Sequence, residues 1–254
     1  MAQRQVWLVT GASSGFGRLV TEIALSKGEI VVATARKPET LDDLKSQYDG
    51  DHFLPLKLDV TNADEVTTAF TRVAEVYGRL DVVFNNAGQS LRGEIEAIPE
   101  ENARALLETN FWGAVEPGEG GRLLNMSSVL GIKVWPLTRY YSAAKHALEA
   151  VTKAFVTELD PEWSIKYIYI DPPPAYSKPS LKGMQLRKSL EGEGGPAYWA
   201  DPRPAALMVY RLAHLPNPPL RLPLGRDALE GIKEEIQQIQ ADVDAYASWT
   251  DEMV

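Results

Sequence analysis

The chain has 254 residues, a net charge of −9 from 26 basic and 35 acidic side chains, and no cysteine. The acidic balance weighs against a nucleic-acid-binding surface. Lack of cysteine excludes disulfides, thiolate catalysis and Cys-ligated zinc, and a reducing compartment follows naturally. The only apolar run near the start, Val6 to Val9, is too short for a signal peptide or a membrane span. The expectation is a soluble cytoplasmic protein.

Short apolar runs alternate with longer amphipathic stretches. In chain order the strand candidates are 5–10, 30–35, 53–58, 80–84, 121–127, 165–170 and 220–224. Several are apolar at consecutive positions, which suits strands covered on both faces. Helix candidates at 15–27, 39–48, 62–77, 100–114 and 138–159 separate them. This alternation predicts an α/β fold with a Rossmann-like, doubly wound parallel sheet in a single domain over 1–254.

Residues 171–200 interrupt the rhythm with Pro172-Pro173-Pro174 and Glu191-Gly-Glu-Gly-Gly195. They read as a loop excursion with one short helix at 179–190, at the sheet edge where substrates bind. The chain closes on a helix over about 227–247. Its apolar stripe is Leu229, Ile232, Ile236, Ile239, Val243 and Tyr246, at spacings of three and four. Packing on its own domain is the favoured expectation; a coiled-coil seam between subunits is the alternative.

The first strand–helix turn, Thr10-Gly-Ala-Ser-Ser-Gly-Phe-Gly17, is rich in glycine. Gly11 permits a tight turn, Gly15, Phe16 and Gly17 open the helix, and the helix N-terminus presents N–H groups and a positive dipole end to a pyrophosphate. Ser13 and Ser14 add hydroxyl donors. The second strand ends Ala35-Arg36-Lys37, without the acid that would accept from a ribose 2′-hydroxyl. Two cations there attract a 2′-phosphate, which Arg36 can grip with a planar fork. The expected cofactor is NADP(H).

Tyr141 and Lys145 lie one helical turn apart on one face. A phenol titrates near ~10, too high for a base at neutral pH. A neighbouring ammonium favours the phenolate and brings proton transfer within reach. Two serines, Ser127 and Ser128, end the preceding strand on the ligand-binding edge.

With TGASSGFG at 10–17, Asp59-Val60, Asn85-Asn86-Ala87-Gly88, Asn110, Ser128 and Tyr141 with Lys145, the sequence resembles the short-chain dehydrogenase/reductases. Ser128 precedes Tyr141 by 13 positions, the family's spacing, which selects Tyr141 over Tyr140 and Ser128 over Ser127. The resemblance implies a seven-stranded sheet and a role for each position. Tyr141 is general acid in reduction and base in oxidation, Ser128 holds the substrate oxygen, and Lys145 binds the nicotinamide ribose and tunes Tyr141. Asn110 holds a water that links Lys145 to solvent. Asp59 and Val60 contact the adenine, and Asn86, Ala87 and Gly88 line the cofactor cleft. No metal is required. The C-terminal third is similar to NADP-preferring hydroxysteroid and retinol dehydrogenase-like members, which suggests a hydrophobic carbonyl. The family also pairs into homodimers or homotetramers through helices that correspond to 100–115 and 138–160.

Two places depart from the family. The connection after Val115 is roughly ten residues short, about three helical turns, and the Pro-Gly element expected after Ile170 is replaced by Asp171-Pro-Pro-Pro174. Both fall where connections are mobile, and the expectation is that the full chain carries further residues there. The leading reading is an NADP(H)-dependent carbonyl reductase or alcohol dehydrogenase; the alternative is a catalytically silent NADP-binding sensor or scaffold on the same fold. Walls of the substrate pocket are expected from 89–92, 129–136 and 171–200.

Overall fold

The structure, a computed structural model, describes residues 4–94, 96–114, 121–158, 166–171 and 201–253. The strands are β1 (Val6–Val9), β2 (Ile30–Ala35), β3 (Phe53–Lys57), β4 (Val82–Asn85), β5 (Arg122–Met126), β6 (Lys166–Asp171) and β7 (Arg221–Pro223). The longer helices are α1 (Gly15–Ser26), α3 (Ala63–Tyr77), α4 (Glu100–Asn110), α5 (Arg139–Glu158), α6 (Arg203–Ala213) and α7 (Arg226–Tyr246), with a short α2 at Asp42–Lys45.

All seven strands form one sheet in the order β3-β2-β1-β4-β5-β6-β7, and each neighbouring pair is parallel. Every residue of β1 and of β4 is buried, because helices cover both sides of the sheet. Alternate residues serve opposite faces. Trp7, Val9, Val31, Ala33 and Phe84 pack with α1 and α6 residues such as Val20, Ala24 and Val209. Val6, Leu8, Val32 and Val83 pack with Val73 of α3 on the other face. Asn62 starts α3 by accepting hydrogen bonds from the Asp64 and Glu65 amides, an N-cap that satisfies two otherwise orphaned donors.

Several boundaries differ from the sequence expectation. The helix expected over 39–48 is a 3₁₀ turn (Pro38–Leu41) followed by the single turn of α2. The helix expected to reach 114 stops at Asn110, and a 3₁₀ turn covers Trp112–Ala114. Asp171, expected to open the substrate excursion, is the last residue of β6, paired with Pro223. The strand runs unbroken through Ile170 and Asp171. The excursion beyond it, its short helix at 179–190, and the junctions after Val115 and Asp171 lie outside the described residues.

Helix α6 was not expected. Its signals are present in the sequence: Pro204 in the first turn, then Ala205, Ala206, Val209, Leu212 and Ala213, all buried, at spacings that make one helical face. Their proximity to the Pro- and Gly-rich excursion obscured the period.

The C-terminal stripe corrects the favoured expectation. Ile232 is 8% exposed, but Leu229, Ile236, Ile239, Val243 and Tyr246 are between 41% and 58% exposed. Only the first turns of α7 rest on the body, with Ala228 and Ile232 packed against Val129 and Leu130. Beyond Ile232 the apolar side of the helix meets no wall among the described residues.

Trp7, fully buried, stacks on Tyr210 of α6 at a centroid distance of 5.9 Å. The Tyr210 hydroxyl donates to Glu29 at 3.0 Å. Burial and this hydrogen bond push the Tyr210 phenol from 10.0 up to about 12. A folded-state value above the unfolded one stabilises the fold fully below pH 10.0, and that contribution is lost as pH rises towards about 12. Thermal unfolding across that window should therefore show a steeper alkaline loss of Tm in the wild type than in Tyr210→Phe. Parallel curves would refute the linkage.

Candidate active site and cofactor cleft

The turn between β1 and α1 is held open from one side by β4. Asn86 donates through Nδ2 to the carbonyls of Thr10 (3.0 Å) and Gly11 (3.2 Å). Thr10 Oγ1 accepts from the amides of Asn86 (3.0 Å) and Ala87 (2.9 Å). Gly11 has φ +64, and a Cβ on Gly17 would lie 2.3 Å from Asn86 Nδ2. Neither position accepts another residue without displacing this lattice. Ser14 in extended conformation precedes α1, and its side chain makes no cap hydrogen bond. The first-turn amides of α1 thus point at the concavity formed by 11–17, as binding of a pyrophosphate requires. The cradle fits a dinucleotide.

Arg36 and Lys37 follow β2 and are exposed. Among the described residues Arg36 forms no salt bridge. The adjoining end of β3 carries Asp59, whose carboxylate accepts from the amide and hydroxyl of Thr61 at 3.0 and 2.8 Å. Those bonds, chiefly the amide's, hold its pKa below the usual value, and the charge of Arg36 lowers it further. Arg36 and Asp59 therefore face one region. Beside Val60 a cavity of about 270 Å³ opens between α3 and the end of α4, bordered by Leu58, Gly113 and Trp112.

The proton-handling residues lie where β5 meets α5. Lys145 is 4% exposed. Its Nζ donates to the Met126 carbonyl at 2.6 Å and lies 5.7 Å from the Tyr141 ring centroid. Tyr141 is half-buried and packs against Val129, Leu130, Ala228 and Ile232. Tyr140 lies apart, its hydroxyl accepting from Arg139 at 3.1 Å. Ser128 is buried and caps the 3₁₀ turn Val129–Gly131, its Oγ accepting from the Leu130 amide at 3.2 Å. Asn110, buried at the end of α4, receives the Gln89 amide at 2.8 Å and donates to the Gln89 carbonyl at 2.7 Å. It thereby ties the segment containing Asn86, Ala87 and Gly88 to α4. Leu137, held with φ 67, accepts from the Gly93 amide at 3.0 Å, so the loops 89–93 and 129–138 meet beside α5.

Sequence reasoning missed a polar ladder under this site. Three consecutive residues of β5 and its end bond to the inner face of α5. Asn125 Nδ2 donates to Thr152 Oγ1 at 2.9 Å, the Met126 carbonyl accepts from Lys145, and Ser127 Oγ donates to Glu149 Oε1 at 2.7 Å. Arg221 of β7 completes it with a paired contact to the buried Glu149 carboxylate. Ser127 is thus directed inward as a structural donor, while Ser128 ends the strand at the cleft. Glu149 was legible only as one turn beyond Lys145 on the same face.

Among the described residues no group of three or more His, Cys, Asp or Glu side chains is placed to hold a metal, and no helix is long and apolar enough to cross a membrane.

A family model for short chain dehydrogenases matches residues 5–180. The chain belongs to the short-chain dehydrogenase/reductase family. It is 33% identical to an uncharacterized oxidoreductase of Schizosaccharomyces pombe over 261 residues, with 94% of this chain and 88% of that protein covered. It is 28% identical to a 3-ketodihydrosphingosine reductase of Bacteroides thetaiotaomicron, with 88% of each chain covered. A short-chain dehydrogenase from Streptomyces avermitilis has the same fold with a TM-score of 0.84 and 30% identity, over 99% of this chain and 100% of that one. The alignment with the S. pombe protein is longer than the whole 254-residue chain while using 94% of it. That relative therefore carries residues inside the matched stretch that this chain lacks. As a member of the family the protein is an oxidoreductase that uses a nicotinamide cofactor and acts on small molecules.

Proposed function

We propose that this short-chain dehydrogenase/reductase is an NADP(H)-dependent enzyme that interconverts a hydrophobic carbonyl and its alcohol. The observation that carries the reading is the gathering of Ser128, Tyr141 and Lys145 where β5 meets α5, in a chain whose β1–α1 loop fits a pyrophosphate. The bound nicotinamide would supply or accept the hydride at the carbonyl carbon. Ser128 Oγ donates a hydrogen bond to the substrate oxygen and steadies its developing charge. Tyr141 gives its hydroxyl proton to that oxygen in reduction and takes it back in oxidation. Lys145, pinned to the Met126 carbonyl, keeps a positive charge under the phenol, and Asn110 fixes the loop of Asn86, Ala87 and Gly88 along the cleft.

Preference for NADP(H) rests on Arg36 and Lys37 after β2, with no acid there to receive a ribose hydroxyl. Ser13, Ser14, Gly15 and Phe16 would surround the pyrophosphate, and Asp59 and Val60 the adenine. The carbonyl substrate class is supported by likeness to a relative named for reduction of 3-ketodihydrosphingosine. We further propose a cytoplasmic homodimer or homotetramer paired through α4 and α5; Trp112, just past α4, and Val156 of α5 are exposed apolar side chains on these elements.

The test is NADPH oxidation against a panel of ketones, aldehydes and quinones. The expected result is turnover of at least one apolar carbonyl. NADPH binding without turnover of any panel member would favour the silent sensor instead.

A further inference from the structure

Beyond its first two turns helix α7 stands clear of the body formed by the other described residues. Every residue from Ile236 to Thr250 is exposed, and among them Ile236, Ile239, Val243, Tyr246 and Trp249 are each more than half exposed. An isolated helical segment of this length is marginal in water and gains its stability from packing an apolar face. The spacing of Leu229, Ile232, Ile236, Ile239, Val243 and Tyr246 alternates three and four without a break. That is the narrow a/d seam of a coiled coil rather than the broader stripe of a helix lying on a domain. The base of the rod is fixed: Ala228 and Ile232 are buried against Val129 and Leu130, and Glu234 pairs with Lys133.

We propose that α7 forms a parallel two-stranded coiled coil with α7 of a second copy of this chain, from about Ile236 onward. Flanking charges select the direction. With Ile236 and Val243 at a, the g positions are Glu235 and Asp242, and the e positions are Lys233 and Gln240. In a parallel pair, g residues meet e residues of the other strand, so Glu235 faces Gln240 of the partner copy and Asp242 faces its Ala247. An antiparallel pair would set the acidic g positions of both strands against each other. This inference adds an interface separate from the α4 and α5 pairing proposed above, one that joins two such pairs into a tetramer. It does not depend on cofactor or catalysis, because its readouts are mass and cross-linking.

The absence of cysteine makes the test clean. Val243→Cys places a thiol at the seam, where a parallel pair sets it opposite its own copy; Asp244→Cys places one on the outer side. On mild oxidation the first should give a covalent dimer on denaturing gels and the second should not. Independently, Ile236→Glu with Val243→Glu should halve the mass measured by light scattering at micromolar protein, with the circular dichroism of the body retained because both positions are exposed. No dimer from Val243→Cys, equal cross-linking by the two cysteine variants, or an unchanged mass in the double-Glu variant would overturn the proposal; the last would mean that the chain itself covers the seam.

Discussion

Replacing Tyr141 by Phe is expected to lower turnover by at least ~100-fold, the usual scale for loss of a positioned general acid, while NADPH binding and Tm stay close to wild type. The ring packs against Val129, Leu130, Ala228 and Ile232, and phenylalanine keeps those contacts. What is removed is one hydroxyl, the only atom of the side chain that can pass a proton to the substrate oxygen. Lys145 remains anchored on the Met126 carbonyl, so its charge stays in place without a phenol to act on. Steady-state NADPH oxidation, with cofactor titration by fluorescence, separates the two effects. Activity within a few-fold of wild type would sink the assignment. The same substitution at Tyr140, whose hydroxyl is engaged with Arg139, should leave turnover nearly unchanged.

Arg36→Asp is expected to weaken NADPH binding by ~100-fold or more and to leave NADH binding nearly unaffected. A charged hydrogen bond to a phosphate is worth about 1.5–3 kcal/mol, and each 1.4 kcal/mol is about tenfold in affinity. The new carboxylate adds repulsion of the 2′-phosphate. It would also stand near Asp59, whose pKa the positive charge of Arg36 lowers in the wild type. That field reverses in the variant and should raise the Asp59 pKa. Arg36 is exposed, so the fold should tolerate the change. Comparing the two cofactors by isothermal titration decides the matter. Equal affinity of the wild-type protein for NADH and NADPH would remove the basis of the proposed preference.

What the sequence determined by itself is the alternation of elements and the order of the motifs along them. Consecutive apolar positions in Val6–Val9 and Ile30–Ala35 reflect burial on both faces of a strand, a local pattern that a single window reveals. The glycine turn at 11–17 was legible for the same reason, since positive φ and close approach restrict the residue type directly. So was the pairing of Tyr141 with Lys145, because helical spacing alone puts them on one face.

Tertiary structure decided what depends on docking one element against another. The inward turn of Ser127 onto Glu149, and the clamp by Arg221 from β7, arise from how α5 settles on β5; no spacing within either element encodes that register. Asn110 holds the Gln89 backbone for a similar reason, since α4 and the loop after β4 meet only in the folded chain. The fate of the C-terminal stripe was also non-local. Its period announces a helix with one apolar side, but whether that side meets its own domain or leaves it depends on the direction in which α7 departs after Ile232. Burial is a property of what lies opposite, and a single helix does not contain its neighbour.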